Sequence, residues 1–419
     1  MPRTPGGSLL RERLRRAFWL PPALAIVLAV PLAYALPAID ASVDVDVGLF
    51  TFNDLGSARS LLATIASATV SVAGLSFSVT LVALQLASSQ LSPRVLTTFR
   101  EDRVAQATLA AFLGVFAYTI ILLGRLTAQD RQVPEISLIV AMLGVLAAFG
   151  LFVAFIGRVV AGLQASTVIR RIATDGDRAR ATRHPRGIGT GADEAEGKQL
   201  TRRWLTTGIR VELRARRGGF LLQLDGGRLL EAAQRHDALI VQRVQVGELM
   251  IRGQLVGEAF VLSTDRPHDV AAVELERGFR YGEERTLASD VGFPVRSLAD
   301  VALRALSPSL NDPTTAENAL GALTDTLAQF VVDGAVQRLR LDGEGAPRLL
   351  ALVPDLDDLV RLGFEQVRLM VIDQQPVLAA RLVLWLDELD RLAEERGLPR
   401  RELHRQRELL RPTADADKN

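Results

Sequence analysis

The chain of 419 residues contains no cysteine, which excludes disulfides, iron–sulfur clusters and thiol nucleophiles. It has only two lysines, Lys198 and Lys418, so lysine-borne Schiff-base, lipoyl and biotinyl chemistry is excluded from most of its length. The four histidines (His184, His236, His268 and His404) lie far apart with no helical or hairpin spacing between them. A zinc site of the usual kinds needs a more clustered set. Net charge is scarce too: 49 Lys and Arg face 48 Asp and Glu, and so even a balance gives no reason to expect nucleic acid as a partner.

The most decisive absence is local. Residues 17–39, 60–93, 104–124 and 136–157 contain no Asp, Glu, Lys or Arg. Each window is long enough for a helix across a ~30 Å hydrocarbon core, which takes about 20 residues. Four transmembrane helices are therefore predicted. The first reads as a retained span, because its apolar part outruns the usual signal-peptide core and more spans come after it. Arg11, Arg13, Arg15 and Arg16 precede the first span, Arg94, Arg100 and Arg103 fill the second loop, and Arg158, Arg170 and Arg171 come after the fourth. The first loop is acidic, with Asp40, Asp44, Asp46 and Asp54. The positive-inside tendency then predicts a multi-pass protein of a bacterial inner membrane with both termini cytoplasmic.

Beyond the spans the chain reads as an α+β region. Residues 1–165 form the four-helix transmembrane domain, and 166–203 an amphipathic helix and a glycine-rich, mixed-charge linker. From 204 to 270 the pattern alternates or runs β-branched between glycines (VELRA, FLLQL, ALIVQRVQV), which predicts a small β-rich unit. Inside it, VGELMIRGQLVG places Gly247, Glu248, Met250, Gly253 and Val256 in an arrangement resembling half of a biotinyl/lipoyl hammerhead barrel, without the carrier lysine. The unit is expected to be barrel-like, and no cofactor is expected. Residues 271–412 carry apolar positions every three and four and predict a helical bundle, and 413–419 a frayed tail.

Two stretches look chemically specified. The charge-free second span, SLLATIASATVSVAGLSFSVTLVALQLASSQLS, carries Ser60, Thr64, Ser67, Ser71, Gly74, Ser78, Gln85 and Ser88 on a seven-residue repeat that Leu81 alone interrupts. A 3.5-residue period puts them on one side of a helix. Such a stripe serves close helix–helix packing, where small hydroxyl residues let backbones approach, or a wet face around which several subunits gather. No span contains an internal carboxylate, histidine or basic residue, which argues against a pump or proton-coupled carrier. The second stretch, RALSPSLNDPTTAENAL, reads as a tight corner between helices, with Asn311 or Asp312 as cap and Pro313 in the first turn. A functional reading would gather Arg304, Ser307, Asn311, Asp312 and Thr314 around a ligand or a subunit contact. No nucleophile–base pair or metal set is legible, so no enzyme is expected and no catalytic or metal-binding residue is assigned.

Two long motifs carry a resemblance. VAGLSFSVTLVALQLASSQLSPRVLTTF and LADVALRALSPSLNDPTTAENAL are similar to the DUF2254 family of predicted bacterial membrane proteins, and the likeness runs through nearly the whole chain. In the middle, Phe220 stands where the family commonly has a tyrosine after glycine, so no role for an aromatic hydroxyl carries over there. The resemblance implies a multi-pass inner-membrane protein with a cytoplasmic domain and brings no activity with it. From the residues, the leading expectation is a homo-oligomer in lipid with the second span near the symmetry axis as a channel-like conduit, the region beyond the spans serving assembly or gating. The alternative is a membrane-anchored scaffold or sensor that binds a small molecule, an ion or a protein partner.

Overall fold

A computed structural model describes residues 19–40, 55–90, 103–126, 135–162, 164–262, 267–285 and 290–411, without the side chains of 86–90, 194–196 and 373. The arginine-rich start, the first two loops and the tail lie outside the described residues. The chain divides into two units, Met1–Thr167 and Val168–Asn419.

In the first unit four helices are long and apolar enough to cross a membrane: α1 (Leu20–Asp40), α2 (Leu55–Gln90), α3 (Arg103–Arg125) and α4 (Glu135–Gly162). They coincide with the four charge-free windows, for the reason that lipid tolerates only backbone whose hydrogen bonds close within the segment. Helix α1 runs on through Pro31 and Pro37. At 36 residues and 1.5 Å each, α2 reaches about 54 Å, well beyond a bilayer core. Helix α3 packs against each of the other three. Gly114 permits this on one side, since a Cβ there would come within 3.3 Å of the Ala25 Cβ on α1. On another side Phe112 is fully buried, with the rings of Phe149 and Phe152 edge-on at 5.7 and 6.1 Å. A charge closes the bundle where the apolar windows end: the Asp40 carboxylate at the end of α1 accepts from Ile136 N, Ser137 N and Ser137 Oγ at 2.6–3.1 Å, satisfying free N–H groups in the first turn of α4.

The second unit begins within α5 (Ala165–Ala181). Next come β1 (Thr190–Ala192), α6 (Glu194–Thr207), β2 (Ile209–Arg214), β3 (Gly219–Leu224), α7 (Gly226–Arg235), β4 (Ala238–Gln242), β5 (Leu249–Met250), β6 (Leu255–Val261), α8 (His268–Glu276) and β7 (Phe279–Gly282). It continues through α9 (Gly292–Ala305), α10 (Pro313–Asp333), β8 (Leu339–Leu341), β9 (Pro347–Leu350), α11 (Leu356–Gln374), α12 (Pro376–Glu395) and α13 (Arg401–Leu410). The strands form a six-stranded sheet in the order β1-β8-β9-β4-β6-β2 and a three-stranded sheet β5-β3-β7. Both sheets are open, and no closed barrel forms among the described residues. Gly247 and Gly253 nevertheless make the two turns their pattern suggests, at φ 94° and 86°, with Met250 and Val256 buried between sheets and helices.

The six-stranded sheet reaches beyond 204–270: β1 comes from the glycine-rich stretch read as linker, and β8 and β9 come from the region read as all-helical. Strand β4 is central, antiparallel to β6 and parallel to β9, and all five of its residues are buried. Edge strand β2 instead alternates, with Val211 and Leu213 inward and Glu212 and Arg214 outward, as a half-buried strand should. Leu229, Ala233 and Leu275 of α7 and α8 cover one face of the sheet, and Trp204 of α6 meets Leu239 on the other. Helices α9–α13 bury a second core around Leu298, Leu320, Leu323, Phe364, Leu382 and Leu403. Asp355 starts α11 with a reciprocal capping box to Asp358, the device expected of an acidic pair before an apolar run.

Candidate functional site

Helix α2 turns two different faces. Ala58, Leu62, Ile65, Thr69, Ala73, Ser76 and Ala83 are buried, Leu62 and Ile65 in one cluster with Tyr118, Leu122 and Leu138, and Ala73 in another with Phe112 and Ala148. The predicted stripe occupies the other side. Ser60, Thr64, Ser67, Ser71, Gly74, Ser78 and Gln85 are all exposed within the single chain, so the stripe does not pack against α1, α3 or α4; the Ser88 side chain lies outside the described residues. Three of the hydroxyls bond back one turn: Thr64 donates to Ser60 O, Ser71 to Ser67 O and Ser78 to Gly74 O, at 2.8–3.0 Å. Such bonds reduce the cost of a hydroxyl in an apolar medium. Gln85 makes no side-chain hydrogen bond among the described residues. An unmet amide is the costlier group to expose to hydrocarbon. Around Gly74 there is open space, with no atom within 4 Å of a Cβ built there.

The 304–318 corner comes together as a tight turn between α9 and α10. Ser307 Oγ donates to Arg304 O at 2.7 Å and lies 3.2 Å from Ser309 Oγ. Asn311 takes a left-handed φ of 43°, a conformation asparagine tolerates better than most. Asp312 caps α10 by accepting from Thr315 N at 3.0 Å, and Pro313 follows as the first helical residue. Its carboxyl is held below the ordinary range by the Thr315 hydroxyl and N–H. Asn311, Asp312 and Thr314 are exposed; Asn311 Oδ1 accepts from Gln375 Nε2 at 3.4 Å, and Glu317 pairs with Arg381. Asp312→Ala is expected to cost about 1 kcal/mol, the usual worth of an N-cap, read as a drop of about 2–4 °C in the melting of detergent-solubilised protein. A loss several times larger would mean the corner does more than cap a helix.

Elsewhere the second unit holds polar contacts that the sequence did not announce. Arg348 on β9 pairs with Asp237 and Asp342, both at 2.7 Å. Arg340 on β8 donates to Gly189 O at 2.7 Å. His184 Nε2 lies 2.9 Å from Gln242 Oε1. His236 and His404 meet Glu274 and Asp390 at 2.9 and 3.0 Å. No three His, Asp or Glu side chains gather into a metal-binding group among the described residues. The hairpin that carries Arg340 and Arg348 did have a signal, an Asp-Gly turn (Asp342-Gly343) between alternating apolar residues.

The model of the family described as "Predicted membrane protein (DUF2254)" matches residues 15–388. The chain belongs to the DUF2254 family. It is also similar to one protein from Mycobacterium bovis and two from strains of Mycobacterium tuberculosis, each described as an uncharacterized protein. Each is 27% identical over 384 residues, which is 89% of this chain and 72% of the relative. No solved structure matches this DUF2254 protein. The match takes in both candidate sites, α2 and the 304–318 corner, together with the four apolar helices.

Proposed function

We propose that this membrane protein is a homo-oligomer in which the hydroxyl faces of α2 from neighbouring copies meet, enclosing a polar conduit, with the second unit serving assembly or gating. The single observation that carries the reading is the direction of the stripe: seven described polar or small positions face away from the chain's own helices, while the opposite face of α2 is buried. A lipid-facing helix gains nothing from such a surface. A copy of the same helix gains close approach at Gly74 and the small serines, and water or a neighbouring amide would satisfy Gln85. Four helices of one chain enclose no wide pore, so a conduit requires several copies.

The test uses the absence of cysteine. Single Cys replacements at Ser67, Gly74 and Gln85 in native membranes are expected to cross-link between copies, whereas one at Leu143, on the lipid-exposed side of α4, is not. The triple change Ser67→Leu, Ser71→Leu, Gly74→Leu should reduce the solubilised particle to the mass of one chain, since leucine is well tolerated in lipid and Gly74 has room for a side chain in the monomer. A wild-type particle of monomeric mass would end the proposal. Ion flux through proteoliposomes then separates a conduit from its rival: cross-linked oligomers that pass no common ion leave a membrane-anchored scaffold or ligand sensor as the reading.

A further inference from the structure

Two kinds of contact hold the four membrane helices together, and they are not shared evenly. Helices α1, α3 and α4 are joined by polar clasps. Pro37 has no N–H, so the Ala33 carbonyl four residues before it loses its partner within the helix. Arg125, the last residue of α3, supplies the missing donor: its Nη1 donates to Ala33 O at 3.0 Å, and its guanidinium lies 4.2 Å over the Tyr34 ring. Asp40, at the end of the same α1, accepts from the first turn of α4 at Ile136 N and Ser137 N. From α3, the Tyr118 hydroxyl donates to Ser137 O at 3.0 Å and Thr108 Oγ1 to Leu151 O at 3.2 Å, both on α4. Close packing joins the same three helices. A Cβ on Gly144 of α4 would lie 3.0 Å from Val115 on α3, as one on Gly114 would lie 3.3 Å from Ala25 on α1.

Helix α2 is attached differently. From Ala58 to Gln85, every side-chain hydrogen bond it makes among the described residues returns to α2 itself. Besides the three hydroxyls of the stripe, Thr69 donates to Ile65 O, Ser76 to Val72 O and Thr80 to Ser76 O, at 2.7–2.8 Å. Thr69 and Ser76 are buried, and even they turn their hydroxyls back to their own backbone. What α2 sets against its neighbours is apolar, with the short side chains of Ala58 and Ala73 beside Leu62 and Ile65. Lipid gives no hydrophobic push to apolar helix faces, so dispersion keeps α2 in place where hydrogen bonds tie the other three. A smooth face without a polar tooth is one along which packed helices slide.

We infer that α2 is the moving part of the membrane unit, shifting against a static frame of α1, α3 and α4. In the oligomer proposed above such a shift changes how the stripes meet, a consequence that rests on that reading; the motion itself does not. The test uses pairs of spin labels in the full-length, otherwise cysteine-free chain in bilayers. Labelled protein is diluted into an excess of unlabelled chains, so that only distances within one copy are read. Val27→Cys with Leu146→Cys reports α1 against α4, and Leu75→Cys with Leu146→Cys reports α2 against α4. The three sites are 64%, 66% and 53% exposed, which gives the labels similar freedom. The α1–α4 pair should give one narrow distance distribution, and the α2–α4 pair one about twice as wide or split in two, as a helix shift requires. Equal narrow widths for both pairs would overturn the inference at any copy number, whereas a monomeric mass with unequal widths would end the oligomer and leave the motion standing. Arg125→Gln with Asp40→Asn opens two of the clasps and should broaden the α1–α4 distribution toward that of the α2 pair. An α1–α4 pair that stays narrow without them would overturn the clasps as what sets the frame apart from α2.

Discussion

Replacing Arg348 with methionine is expected to lower the stability of the second unit by about 3–5 kcal/mol, the usual cost of removing one partner from a buried ion pair. The guanidinium is 8% exposed and joins two carboxylates that come from different parts of the chain, Asp237 before β4 and Asp342 in the β8–β9 turn. Asp342 is buried and would be left behind. Burial pushes its carboxyl up, yet Arg348 and the backbone N–H groups of Ala346 and Glu344 hold it below the ordinary range. Without the cation its burial is no longer compensated. Methionine keeps the volume, so lost charge and not a cavity is what the experiment reads. At about 2–4 °C per kcal/mol for a unit of this size, the melting temperature in detergent should fall by roughly 10 °C. The double variant Arg348→Met, Asp342→Asn should recover part of that loss, because it removes the stranded charge. A single variant that melts within 2 °C of wild type would show the pair to be dispensable.

Acid should weaken the second unit through His184. Burial pushes the imidazole down from its ordinary 6.5 to about 4, with the hydrogen bond to Gln242 opposing the shift and nearby Arg340 adding to it. The network also fixes the tautomer. Gln242 Nε2 donates to Val244 O at 2.7 Å, leaving its Oε1 to accept from His184 Nε2 and Leu352 N, so the neutral ring carries its proton on Nε2. With a folded value below the unfolded one, the contribution is complete above about 6.5 and is lost as pH falls toward 4. Two and a half pH units correspond to about 3 kcal/mol. His184→Gln keeps a donor near the same place and has no proton to gain. Unfolding free energies at pH 7 and pH 4.5 should therefore differ less in this variant than in wild type, by about 2–3 kcal/mol. Equal acid sensitivity in both proteins would assign the effect elsewhere.

The membrane unit was legible because a charge-free window of twenty-odd residues has few alternatives. The period of the α2 stripe was equally plain, although sequence could not say which way it would turn. That depended on where Leu62, Ile65 and Ala73 find partners on α3 and α4. The open sheets were not legible as such. Residues 182–193 look like linker because Ile188 is their only large apolar residue, but Ile188 is buried and Arg340 holds the carbonyl of Gly189 from some 150 positions away. Local composition cannot report a bond of that range. The same holds for Arg348 with Asp237 and for His184 with Gln242. In the 304–318 corner the Asp-Pro cap was readable, since capping is a local matter.

The parallel pairing of β4 with β9 has a consequence for biosynthesis. When a ribosome has emitted residue 262, strands β2, β4 and β6 can already pair as neighbours, but one side of β4 stays open until Pro347–Leu350 emerges much later. In that interval Ala-Leu-Ile-Val presents an unpaired, wholly apolar margin of the kind that recruits foreign strands. A nascent chain cut short between those points would carry a sticky edge, which makes early termination or slow translation there a route to aggregation.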